Sequence, residues 1–167
     1  MTTEKAQKQN VGNAGEYYIA ARLSAINFTA TITLGRAEKY DILALSPSGR
    51  LVKLSVKATQ VENTSGFPLS DKDGDGQSDD FYYAFVKLNN FVKEPDFWII
   101  PSKIVCPLVR KAHKKWEDTP GRGGKEHSKS NTMRWLPVEL RGSDEKYYPK
   151  EWEKEVKKYH KNLKQLI

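Results

Sequence analysis

The sequence predicts a single α/β domain spanning residues 1–167, with a mixed β-sheet flanked by helices. Three observations predict it. An apolar stripe at helical spacing comes first, three strand-like runs rich in Ile, Val, Thr and aromatic residues follow it, and strands and helices alternate through the second half. A chain of 167 residues can bury one full core, and 38% hydrophobic residues argue against wholesale disorder.

Taken in order, a first helix is expected from about Asn13 to Ala25, with Asn13 as N-cap and Glu16 in capping-box spacing three residues on. Ile19, Ala20 and Leu23 form the stripe that packs it on the sheet. Phe28 to Leu34, Tyr40 to Leu45 and Leu51 to Ala58 read as strands, and the Pro47-Ser48-Gly49 turn makes the second and third antiparallel neighbours. Residues 59–80 carry no apolar period and read as a long loop, acidic over about 61–80. Phe81 to Leu88 and Phe97 to Ile100 resume strand character, with Tyr82, Tyr83, Phe85, Phe97 and Trp98 alternating as core residues. Ser102 is expected to cap a helix toward Trp116, which Pro107 should kink or restart. A polar, basic loop over 118–132 precedes a strand from Met133 to Val138. A last helix from about Pro149 to Leu166 closes the chain.

Two of these strands carry charges that a buried sheet has no use for unless they meet each other or a ligand. Asp41 lies in Tyr40-Asp41-Ile42-Leu43, and Lys57 ends Leu51-Val52-Lys53-Leu54-Ser55-Val56-Lys57. Phosphodiester cleavage needs a divalent metal held by carboxylates, water or a backbone carbonyl, and a cation nearby to orient the attacking water or offset developing charge. Asp41 offers the carboxylate, Val56 its carbonyl and Lys57 the cation.

This arrangement resembles the PD-(D/E)xK nuclease superfamily, which includes many restriction enzymes and Holliday-junction resolvases. Its motif is an acid on one strand and acid-x-Lys on the next, often with a Glu on the preceding helix. Asp41 matches the first acid, Lys57 the lysine, and Glu16 in Gly15-Glu16-Tyr17-Tyr18 the helix acid, so the resemblance covers residues 12–60. Ser55 stands where the second acid belongs. The resemblance implies a restriction-endonuclease-like fold and hydrolysis of DNA phosphodiester bonds with Mg²⁺ or Mn²⁺. Asp41, Glu16 and the Val56 carbonyl would hold the metal, Ser55 would fill a remaining position, and Lys57 would place the nucleophile. A serine hydroxyl is a poorer Mg²⁺ ligand than a carboxylate; Glu16 would restore a second carboxylate if its helix packs across the strand ends, and Gln60 and Glu62, just beyond Lys57, are placed to lean in as further ligands. The alternatives are a DNA-binding relative that kept the fold and lost catalysis, and a calcium-binding interaction module. A homodimer is open under either DNA reading.

The net charge of +7 lies in the second half: residues 1–90 hold 10 basic and 10 acidic side chains, residues 91–167 hold 18 and 11. Lys111, Lys114, Lys115, Arg122 and Lys125 stand in clusters of the kind that a phosphate backbone attracts. Against them stands Asp71-Lys72-Asp73-Gly74-Asp75-Gly76-Gln77-Ser78-Asp79, which places Asp71, Asp73, Asp75 and Asp79 at EF-hand ligand positions. Tyr82 occupies the twelfth position where a bidentate acid belongs. The segment therefore reads as a dispensable acidic surface loop that lies away from the basic face or needs a cation to approach it, with weak Ca²⁺ binding as the other outcome.

Other classes drop out. Cys106 is the sole cysteine and sits among apolar neighbours, so a disulfide framework is excluded and a buried structural thiol expected. His113, His127 and His160 are too far apart for zinc-ligand spacing, and His127 reads as solvent-exposed. No Walker, Rossmann or Gly-x-Ser-x-Gly motif is present. With no apolar run of about 18 residues and no signal-peptide pattern at Met1-Thr2-Thr3-Glu4-Lys5, a cytoplasmic setting away from membranes is expected.

Overall fold

In the computed structural model, which describes residues 3–33, 40–61, 63–128 and 130–167, five strands form a mixed sheet in the order β1-β2-β3-β5-β6. They are β1 (Thr29–Ile32), β2 (Ile42–Leu45), β3 (Leu51–Thr59), β5 (Phe81–Lys87) and β6 (Asp96–Pro101). Among the described residues only β3 and β5 run parallel, and that pairing makes the sheet mixed. A parallel pair needs a crossover, usually a helix. Here the crossover is a fourth strand, β4 (Gly66–Ser70), and a 3-10 turn at Asp71–Gly74, so the long loop expected over 59–80 is in fact structured. β4 pairs antiparallel with β7 (Met133–Pro137) in a second small sheet.

Alternation along the strands sends side chains to two cores. On one face Ile42, Ala44, Val52, Leu54, Ala84, Val86, Phe97 and Ile99 are buried under Ile19 and Leu23 of α1 (Thr3–Ser24). On the other, Phe81, Tyr83, Phe85, Trp98 and Ile100 pack against Phe67 and Leu69 of β4 and Val105, Cys106 and Val109 of α2 (Ser102–Glu117). Cys106 and the five aromatics read as core are buried as expected.

Three helices differ from the sequence expectation. α1 begins ten residues early, at Thr3, so Asn13 and Glu16 lie inside a helix and form no capping box. α2 runs unbroken through Pro107. Pro101 occupies its N-cap, and the Ser102 hydroxyl bonds the backbone of Ser78 instead. The last helix is short, α3 (Asp144–Tyr147) being followed by α4 (Glu151–Lys157). Beyond α4 the chain runs along the edge of β6, with Ile99 N–H donating to Tyr159 and Lys161 N–H to Phe97, before Leu163 and Leu166 enter the α1-side core. Leu34, at the end of the first expected strand, and Glu62 lie outside the described residues.

Candidate active site

The β2–β3 hairpin decides which groups can meet. Gly49, at φ 84°, supplies the left-handed turn residue, and the register pairs Ile42 with Leu54. With Val52 and Leu54 turned to the α1 face, Lys53, Ser55 and Lys57 share the opposite one. Asp41 sits one residue beyond the last β2–β3 pair. Its N–H still bonds the Leu54 carbonyl at 2.8 Å, and its Oδ2 accepts the Val56 N–H at 2.5 Å and the Ser55 hydroxyl at 3.2 Å. The carboxylate thus continues the ladder where the backbone leaves it. An extended residue points its N–H and C=O to the same edge, so the Val56 carbonyl lies on the side where Asp41 sits.

Asp41, Ser55, Val56 and Lys57 line one cleft of about 450 Å³, closed on its far side by Asp73 and Tyr83. The Lys57 ammonium is 3.0 Å from the Asp73 carboxylate. Glu16 approaches from α1 because Gly15 packs its backbone against β3. A Cβ at Gly15 would overlap that of Ala58. Burial, reinforced by the Asp41 charge, raises the Glu16 carboxyl above the ordinary carboxylate range. Of the four residues expected to act together, Asp41, Ser55 and Lys57 line the cleft, whereas Glu16 is not among its lining residues and is linked to them through the electrostatic effect of Asp41 on its carboxyl. Gln60, on the exposed chain after β3, is not among the residues lining the cleft.

The acidic segment is not an idle surface loop. Asp73 Oδ2 accepts the Ser70 N–H at 2.8 Å and the Ser70 hydroxyl at 2.9 Å. Its main-chain oxygen accepts the Tyr83 hydroxyl at 2.8 Å and the Cys106 thiol at 3.3 Å. Burial raises both donors' pKa values, so each keeps its proton for this bond. The four carboxylates at calcium-loop positions go separate ways. Asp71 bonds the Lys72 N–H, Asp73 faces Lys57, Asp75 lies 3.7 Å from Arg110, and Asp79 pairs with Lys103. The segment also lies against the basic helix α2 rather than away from it, with Arg110 donating to the Gly74 carbonyl at 2.6 Å. The pairing of Asp73 with Lys57 has no signal in the sequence, because no local pattern links the two residues.

Lys111, Lys115 and Lys125 are exposed, and Lys114 forms an i,i+4 pair with Asp118 at 2.8 Å. The Arg122 side chain lies outside the described residues. His127 is half-buried rather than solvent-exposed, stacked on Trp116 at 3.8 Å, while His113 stacks on the same indole and His160 bonds Asp96. A second cavity of about 310 Å³, walled by Trp116, Trp135, Tyr147 and Tyr148, holds none of the predicted catalytic residues. Among the described residues no helix is long and apolar enough to cross a membrane.

No family model and no curated protein sequence matches the chain. Among solved structures, that of a bacterial homing endonuclease is similar, with a TM-score of 0.45 and 13% identity over 89% of this chain and 91% of that one.

Proposed function

We propose that this chain is a PD-(D/E)xK-type, Mg²⁺- or Mn²⁺-dependent endonuclease acting on DNA. The observation that carries the reading is the meeting of Asp41, Ser55, Val56 and Lys57 in one cleft, with Glu16 electrostatically coupled to Asp41.

The donor set suits a hard divalent cation. Asp41 Oδ1 takes no hydrogen bond among the described residues and is available as a ligand, while Val56 and Ser55 add neutral oxygens. Burial and the Asp41 charge together make the Glu16 carboxyl harder to ionise, a cost that a cation bound nearby would relieve. A bound Mg²⁺ would polarise the scissile phosphate and lower the pKa of its water. The chain's own residues would do the rest. Asp41 holds the charge beside the phosphate, Lys57 donates to a phosphate oxygen or orients the attacking water from the same strand face, and Glu16 completes the charge from α1. Lys111, Lys114, Lys115 and Lys125, with Arg122, would meet the backbone of the duplex.

One observation favours a second reading. Ser55 spends its hydroxyl on Asp41, and Asp41 Oδ2 already serves two internal donors, an arrangement that also suits a DNA-binding relative without catalysis. Nicking of supercoiled plasmid in Mg²⁺ or Mn²⁺, with Lys57→Ala beside the wild type, separates the two. Nicking that depends on both metal and Lys57 supports the enzyme. DNA binding without nicking in either metal supports the relative.

A further inference from the structure

We infer that Asp73 is the positioning residue for Lys57, supplying from the crossover the carboxylate that β3 lacks at Ser55. The inference rests on the nuclease reading above. In a strand, residues 55 and 57 share a face, so an acid at 55 would lie beside the lysine. Ser55 instead donates its hydroxyl to Asp41 at 3.2 Å, leaving the lysine without a partner on its own strand. A lysine carries a flexible four-carbon stem, and an ammonium that must meet one phosphate oxygen has to be held.

Asp73 is built to hold it. Its side chain is 12% exposed and 3.0 Å from the ammonium through Oδ1. The other oxygen is fixed by both donors of Ser70, and the main-chain oxygen by Tyr83 and Cys106. Arg110 clamps the next carbonyl, that of Gly74. β4, β5 and α2 thus each anchor the turn, with the carboxylate aimed into the cleft opposite Asp41. Anchoring of the turn alone would be served by Oδ2 and the carbonyl; Oδ1 is left to the lysine.

The test is single-turnover cleavage of duplex DNA by the full chain in Mn²⁺, with DNA affinity measured in parallel. Asp73→Asn, which keeps an oxygen for the Ser70 N–H, should lower the single-turnover cleavage rate constant by about 10²-fold at unchanged DNA affinity. Asp73→Glu should recover part of that loss. Asp73→Asn combined with Lys57→Ala should cost nothing beyond Lys57→Ala alone, whereas a purely structural role would make the two losses multiply. If Asp73→Asn fails to fold, Ser70→Ala loosens the carboxylate without removing its charge and should show the same selective fall in the single-turnover rate constant. Wild-type cleavage by the folded variant, or losses that multiply, overturns the inference and leaves the nuclease reading intact. A wild-type chain that cleaves nothing removes both.

Discussion

Asp41 reaches from the end of β2 to accept the Val56 N–H of β3 at 2.5 Å, so one side chain both closes the sheet ladder and faces the cleft. Its two duties are separable by substitution. Asp41→Asn retains an acceptor for Val56 and should cost less than about 1 kcal/mol, whereas Asp41→Ala strands a half-buried donor and should cost roughly 1–3 kcal/mol. Chemical denaturation measures both. Equal losses would mean that the hydrogen bond to Val56 is not what holds this corner.

Gly15 sets how closely α1 lies on β3. Gly15→Val should destabilise the fold by roughly 1–3 kcal/mol through overlap with Ala58 and should carry Glu16 away from Asp41. Thermal unfolding reads the first effect. A melting point equal to wild type would show that the helix can shift at no cost.

Glu16 gives the stability a pH dependence of known sign. Its folded carboxyl is raised by burial first and by the Asp41 charge second, so the folded state holds the proton more tightly than the unfolded one. That contribution is present below the ordinary value of 4.5 and is lost as pH rises through the raised value. Glu16→Gln, which cannot ionise, should therefore melt above wild type at pH 7, with the gap closing towards pH 4. Mn²⁺ should narrow the pH 7 gap by offsetting the two carboxylates. A gap independent of pH would contradict the coupling.

Much of this site was legible because strand alternation is a local rule. Placing Ser55 and Lys57 on one face, and Asp41 at the mouth of the neighbouring strand, required only the hairpin turn and a period of two. The crossover was not legible, since Gly66 and Pro68 disfavour strand and leave Phe67 and Leu69 as its whole apolar signal. The first ten residues of α1, Thr3 to Gly12, show no apolar period, so the only start signal the sequence offers is the cap-like Asn13 with Glu16 three residues on, ahead of the Ile19 and Leu23 stripe. At the other end, a pattern of Trp152, Val156 and Leu163 suited one helix, yet backbone bonds to Phe97 and Ile99 draw the chain along β6 instead. The Asp73–Lys57 pair depends on where that crossover lies, and no spacing in the sequence encodes it.

The basic face of α2 has its own signature. Replacing Lys111, Lys114 and Lys115 by Gln should weaken binding to unrelated DNA sequences about equally and flatten the slope of log affinity against log salt by about 0.9 per lost contact. Lys114 should contribute least, since it already pairs with Asp118. Stability should move by less than about 0.5 kcal/mol. An unchanged salt slope would exclude this surface as the DNA contact.

The nuclease reading stands most directly on single-turnover cleavage of DNA by wild type and Asp41→Asn in Mg²⁺ or Mn²⁺, with binding recorded on the same samples. Metal-dependent cleavage by wild type is predicted, lost in the folded Asp41→Asn protein while DNA affinity holds steady or tightens through reduced repulsion of the phosphate. Cleavage that persists in Asp41→Asn, or a wild-type chain that binds DNA and leaves it intact in both metals, would contradict it.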